Sequence, residues 1–201
     1  MRTRAFWLIS LGHGSALLVV SAVTVHLVPH LHESLGYSLS TAGFIVTLMT
    51  LMQLVGIVVG GFLGDRFSKR LIAAGCLAAH GLALLLVAYA TALPMVIGFA
   101  VLHGMAWGTR GPLMASIRAE YFGRAAFGVI VGLSSMITTF GNTFGPIVAG
   151  VLAESTGRYE TGLTVLAVLA GLGFVFFLLA TRPRPPRSDA PRLVHERLEA
   201  A

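Results

Sequence analysis

Acid is what this sequence has least of. Of its 201 residues, 8 are Asp or Glu and 14 are Lys or Arg, so charged residues make up 11% of the chain, where a soluble domain carries about 25%. Too few polar side chains are left to cover a water-facing surface. With 56% hydrophobic residues and a mean hydropathy of +0.85, the composition is that of an integral membrane protein, with the lipid bilayer as its first partner. Cysteine is nearly absent as well. Cys76 alone, in an apolar run, rules out a disulfide framework and reads as small buried filler. Also missing are a P-loop, a serine–histidine–acid set and a pair of intramembrane aspartates. No residue is therefore assigned a catalytic role, and no cofactor is implied. The basic excess, a formal net charge of +6 with a pI of 10.4, would suit a nucleic-acid binder if it covered a polar face. Here the basic residues stand between apolar runs, which excludes nucleic acid as the partner.

What the sequence does have is apolar stretches of about 20 residues or more, the length that crosses a bilayer. Phe6–Leu31, Leu35–Gly64, Leu71–Ala90, Pro94–Ile117, Ala125–Ala153 and Thr161–Thr181 read as six spans, an all-α membrane fold. Ser38 or Ser40 suits the N-cap of the second. The third and fourth are parted by Thr91–Pro94, because proline fits the first turn of a helix. The chain divides into a six-helix unit at 1–182 and a basic tail at 183–201. That tail is extended through RPRPPRSDAPR, and Leu193–Ala200 has the pattern of a short amphipathic helix. The opening MRTRAFWLIS is basic then apolar, like a signal peptide. The apolar run continues to Leu31 without a small-residue cleavage pattern, so it reads as a retained span.

Six spans put both termini on one side. Arg2, Arg4, Arg66, Lys69, Arg70, Arg118, Arg124, Arg182, Arg184, Arg187, Arg192 and Arg197 fall on that side, Arg158 falls opposite, and Arg110 lies within a span. Basic segments flanking spans stay in the cytoplasm, so both termini are expected there.

One stretch organises the rest: Gly56–Arg70, GIVVGGFLGDRFSKR. Gly56, Gly60 and Gly64 recur every four residues on one helical face, where they let another backbone come close. The apolar run then stops on Asp65, Arg66, Lys69 and Arg70. The pattern G-x-L-x-D-R-x-(small)-K-R, carried by Gly61, Leu63, Asp65, Arg66, Ser68, Lys69 and Arg70, resembles the signature loop found in each half of a major facilitator superfamily transporter. The resemblance implies that this loop gates the cytoplasmic side by latching the two halves together while the carrier is open outward. Asp65 fits that role, since an acid at the negative C-terminal end of a helix gains from a partner on another element.

An internal echo agrees. Gly61-Phe62-Leu63-Gly64-Asp65 with Lys69 ends the second span, and Gly150-Val151-Leu152-Ala153-Glu154 with Arg158 ends the fifth. Gly56 and Gly145 also correspond. Spans one to three and four to six then form two inverted three-helix repeats, as in half of a twelve-helix major facilitator fold. RTRAFWLISLG, RAEYFGRAAFGVIVGL and GNTFGPIVAGVLAESTGRY are similar to the C-terminal half of bacterial carriers of the monocarboxylate and oxalate–formate group. That resemblance implies transport of a small organic anion by alternating access, in the inner (plasma) membrane of a bacterium. It also implies a missing N-terminal six-helix half, supplied by an absent segment or by a partner chain such as a second copy. The alternative is a structural or regulatory membrane subunit, or a truncated half, that transports nothing. Gly56, Gly60 and Gly64 in the second span, Gly128 with Gly132, and Gly141 with Gly145 in the fifth are candidate contacts with the absent half. Packing within the chain is the other reading.

Arg110 is the first candidate binding residue. It lies about 12 Å inside Arg118 along the fourth span, with no acid in any span to pair with it. A charge at that depth faces a cavity or partner, and a guanidinium takes a carboxylate by two parallel hydrogen bonds. Gly108, Gly111 and Pro112 are expected to break the helix there. The competing reading is an arginine snorkelling to the interface. His13 and His103 are further candidates for the substrate path, with a helix-packing hydrogen bond as the alternative for His13, and His80 reads as packing. His26, His30 and His32 cluster near the outer end with Glu33. Histidines four apart suit a metal, but no cysteine or second acid is close. A wet vestibule is preferred, and no metal site is assigned.

Overall fold

The computed structural model describes residues 3–123 and 127–183. Six helices follow in order: α1 Arg4–Pro29, α2 Leu39–Arg66, α3 Lys69–Ala88, α4 Leu93–Phe122, α5 Phe127–Thr156 and α6 Tyr159–Leu179. The sequence signals that start them are visible in place. Ser38 accepts a hydrogen bond from the Thr41 backbone N–H at 3.1 Å and caps α2. Pro94 sits in the first turn of α4. Gly157, with φ of 68°, turns the chain between α5 and α6.

Several boundaries differ from the sequence reading. The second helix begins at Leu39, not Leu35, because Gly36 takes φ of 71° ahead of the Ser38 cap. Lys69 and Arg70 belong to the first turn of α3 instead of a loop. Pro29 closes α1, and a π-helical turn, His30–Ser34, carries the chain on, with the Leu35 N–H donating to the His30 carbonyl at 3.1 Å. Five of the six helices are long and apolar enough to cross a membrane. α4 falls short because His103, Arg110 and Pro112 interrupt its 30 residues. The amphipathic segment expected at Leu193–Ala200, and Arg2, Arg124 and the tail arginines, lie outside the described residues.

The packing repeats itself. α2 packs most heavily on α4, and α1 on α5. α3 packs on α6, with α3–α4 and α1–α6 as further seams. Exchanging α1–α3 with α4–α6 carries α2–α4 onto α5–α1, α3–α4 onto α6–α1, and α3–α6 onto itself. Three helices per repeat make the two copies run in opposite directions. This is the inverted-repeat arrangement of half a twelve-helix fold.

Glycines make the two strongest seams possible. A Cβ on Gly56 would stand 2.5 Å from the Met105 carbonyl oxygen, and one on Gly64 would stand 2.5 Å from the Leu113 side chain. Gly60 meets the backbone of Thr109, and from the other side Gly104 and Gly108 meet the carbonyls of Met49 and Gln53. In the second seam, Gly141 meets Gly14 and Gly145 meets Leu18, again at the carbonyls. These glycines therefore serve contacts inside the six-helix unit, which corrects the expectation that they face an absent half. Gly61, Gly128 and Gly132 have nothing within 4 Å of a Cβ position and face outward.

The first and last described residues meet at one end. Thr3, Arg4, Thr181 and Arg182 line one cleft there. Lys69 pairs with Glu120 at 3.2 Å, Arg70 donates to the Leu178 carbonyl at 2.9 Å, and the Tyr121 hydroxyl donates to the Ala180 carbonyl at 3.0 Å. At the opposite end, Glu33 and Ser34 share a cleft of about 400 Å³ with Glu154, Arg158 and Tyr159. One basic residue moves off its expected place. Arg118, read as a residue of the cytoplasmic face, is buried at 6% exposure.

Candidate functional site

α4 carries two buried arginines. Arg110 and Arg118 are separated by about 12 Å along the helix and only about 80° around it, so both turn toward the interior of the unit. Their surroundings are unlike.

Arg118 is held on three helices. Its Nη2 donates to Ser134 Oγ of α5 at 2.7 Å and to His13 Nδ1 of α1 at 2.8 Å. Its Nη1 donates to the Met114 carbonyl at 3.3 Å, and Ser10 of α1 donates to Ser134 at 3.0 Å. Accepting from Arg118 requires a lone pair on Nδ1, so the His13 ring is neutral with its hydrogen on Nε2. Within the Arg118 guanidinium, only Nε is sealed without a partner among the described residues.

Arg110 has no such support. It is 1% exposed, and both its Nε and its Nη1 are sealed without a hydrogen-bond partner. This removes the snorkelling alternative: the side chain points inward, away from the interface. Within electrostatic reach stand His13 of α1, Cys76 and His80 of α3, and His103 and Arg118 of α4. His80 and His103 are both fully buried and meet through Nδ1 at 3.1 Å, with ring centroids 4.5 Å apart. Such a contact needs one ring to donate and the other to accept. His80 is thus the hydrogen-bond partner of His103 and not mere packing, while the Nε2 of each ring has no partner.

α4 runs unbroken through Gly108, Gly111 and Pro112, which corrects the expected local break. A proline removes one helical hydrogen bond. Gly104 and Gly108 meanwhile let α2 press close to this part of α4, and Thr109 donates to the Gly56 carbonyl at 3.1 Å across that seam.

The outer histidines diverge. His26 donates from Nε2 to the Pro146 carbonyl of α5 at 2.9 Å. His30 donates to the Val87 carbonyl of α3 at 2.9 Å, and His32 to the Tyr37 carbonyl at 2.8 Å. Among the described residues no group of three metal-ligating side chains forms. In the loop expected to gate, Gly61 and Asp65 are exposed, and Arg66 lies over the Phe62 ring at 3.9 Å. Lys69 and Arg70 are engaged with α4 and α6 inside the unit.

Sequence reasoning missed the role of Arg118, which its place four residues before the end of α4 disguised as an interfacial charge. Ser10, three residues before His13 on one helical face, and Ser134 in the middle of an apolar run were the available signals.

The fold is an inverted-repeat bundle of membrane-length helices closed around a cationic interior without an acid of its own among the described spans. Residues 9–199 match the Major Facilitator Superfamily, and the chain belongs to that superfamily. No curated protein matches it in sequence. Its fold is similar to that of a variant of the E. coli fucose:proton symporter FucP, with a TM-score of 0.77 at 17% identity, covering 90% of this chain and 44% of that one. A proton-dependent oligopeptide transporter gives 0.75 at 15% identity, covering 100% and 46%. A D-xylose–proton symporter gives 0.62 at 18%, covering 98% and 52%. The chain thus spans about half the length of these transporters.

Proposed function

We propose that this chain is one six-helix half of a solute transporter, and that the solute is a small organic anion such as a monocarboxylate. The half corresponds to the C-terminal one, and a second half completes the carrier for alternating access. The observation that carries the reading is Arg110. A guanidinium stays protonated at any physiological pH. Sealed at 1% exposure with two N–H groups unpartnered, it carries an unmet demand for an anion. A carboxylate meets that demand with two parallel bonds. His13 supports the same path, since it is within electrostatic reach of Arg110 and hydrogen-bonded to Arg118. His103, hydrogen-bonded to His80, lies about two turns before Arg110 on α4. The loop Gly61–Arg70 serves as the gate, with Asp65 exposed at the tip of α2 for a contact with the second half. Both termini lie in the cytoplasm, in keeping with Arg4, Lys69, Arg70 and Arg182 at their end.

The test is uptake of labelled acetate and lactate into vesicles bearing the complete carrier. Arg110→Gln abolishes uptake while membrane insertion is unchanged, and Arg110→Lys keeps the charge but weakens apparent affinity about tenfold or more. Unchanged affinity in Arg110→Gln refutes the anion assignment. Uptake that never exceeds that of empty vesicles favours the structural-subunit reading, which the half-length match to the known transporters makes concrete.

A further inference from the structure

One cleft of the molecule plays no part in the solute path. It opens where α1 begins and α6 ends, with a volume of about 390 Å³, and is lined by Thr3, Arg4, Leu179, Thr181 and Arg182. Small-ligand sites span about 300–1,000 Å³. Two guanidiniums and two hydroxyl groups line it, and no acid does. Among the described residues the ion pairs are Lys69 with Glu120 and Arg158 with Glu160, so neither Arg4 nor Arg182 is neutralised. Arg70 adds a third positive charge at the end of α6, donating to the Leu178 carbonyl at 2.9 Å.

Helix packing does not demand these arginines. Exchange of the repeats carries the α1–α6 seam onto the α3–α4 seam, and the start of α1 onto the start of α4. The equivalent corner is YATALP, residues 89–94, which holds no charge. The same junction of helices is thus made at the other end of the unit without a guanidinium.

The surroundings say what kind of anion the cleft fits. α1 and α6 are both long and apolar enough to cross a membrane, and their ends put the cleft at the depth of the lipid headgroups. Deeper in the bilayer the outward side chains beside it are apolar. Trp7 and Leu11, three and seven residues after Arg4, share its side of α1 and are exposed. Leu179, Val175 and Leu172 form one exposed stripe on α6. Tryptophan is enriched at this boundary between headgroup and acyl chain. A phospholipid uses both features. Its phosphate accepts parallel hydrogen bonds from guanidinium, and its acyl chains lie along the two stripes. A zwitterionic headgroup carries its own cation into the cleft and gains less.

We propose that the cleft between the start of α1 and the end of α6 binds an anionic phospholipid of the surrounding bilayer, with the phosphate held between Arg4 and Arg182. α1 belongs to one repeat and α6 to the other, so the lipid clamps the two repeats together at this end. The site lies apart from Arg110 and does not rest on the anion reading above.

Native mass spectrometry of the full chain, released from nanodiscs holding phosphatidylglycerol and phosphatidylcholine in equal amounts, tests this. One phosphatidylglycerol is expected to stay on each chain while phosphatidylcholine is lost. Arg4→Gln and Arg182→Gln each weaken its retention about fivefold. Both arginines are exposed, so these variants are expected to insert and fold as the parent does. Arg187→Gln removes the same charge from the tail and leaves retention unchanged. A photoreactive phosphatidylglycerol is expected to label residues 3–5 and 179–183. Labels spread over all the lipid-facing helices, or an equal loss in Arg187→Gln, reveal diffuse attraction and overturn the proposal, as does equal retention of phosphatidylcholine. Inorganic phosphate is the last probe. If it displaces the lipid and binds by itself, the cleft is a site for the free ion and the lipid assignment fails.

Discussion

Two arginines on one helix, two turns apart, live in opposite circumstances. Arg118 is well supplied: a serine, a histidine and a carbonyl receive hydrogen bonds from both its terminal nitrogens at 2.7–3.3 Å, and only its Nε is left without a partner. Arg110 is the more deeply buried, and two of its three nitrogens have no partner. On the proposed reading, the difference separates a structural charge from one that waits for a ligand. Burying a guanidinium is costly in either case, and hydrogen bonds offset much of that cost at Arg118. At Arg110 the cost stands uncompensated. A fold keeps such a group when a ligand compensates it for part of a cycle, as expected for a binding residue whose partner must also leave.

The contrast can be broken by changing each arginine to methionine, which keeps the stem and removes the charge. Arg118→Met leaves Ser134 and His13 without their donor and unlinks three helices. We expect it to lower stability to unfolding in detergent by about 2 kcal/mol. Arg110→Met is expected to act with the opposite sign, raising stability by about 1 kcal/mol because an unpartnered buried charge disappears. The same change abolishes anion uptake, a trade of stability for activity. A loss of stability in Arg110→Met comparable to that in Arg118→Met would erase the distinction. The smallest effect sharpens it: Ser10→Ala removes only the outer hydroxyl of the Arg118 network, and about 0.5 kcal/mol is expected. The parallel change in the Arg110 surroundings, Cys76→Ala, takes away no hydrogen bond recorded there, so any loss reflects packing alone.

Much of this molecule could be read without its fold. Hydrophobic runs between charged turns marked all six helices, and Ser38 and Pro94 marked starts that the structure uses. The echo of Gly61–Asp65 in Gly150–Glu154 revealed the repeat, because a repeated packing problem keeps the same small residues at the same seam. Arg110 stood out through depth alone. The eight-residue spacing to Arg118 was visible too, but not that both turn inward.

The destination of each side chain was not legible. Gly60 and Gly141 fit equally an outside partner or a neighbour within the unit, since small residues permit close approach without naming what approaches. His13, His80 and His103 are three histidines in three apolar runs. Only the crossing of α3 with α4 pairs His80 with His103, and only the meeting of α1, α4 and α5 gives His13 to Arg118. Local sequence determined where helices begin and end and how much charge each carries, because capping, hydropathy and backbone restriction act over a few residues. Tertiary structure decided which charge is satisfied. A hydrogen bond is a contact between atoms about 3 Å apart, and residues 105 positions apart in the chain, such as His13 and Arg118, come that close only when the helices have packed.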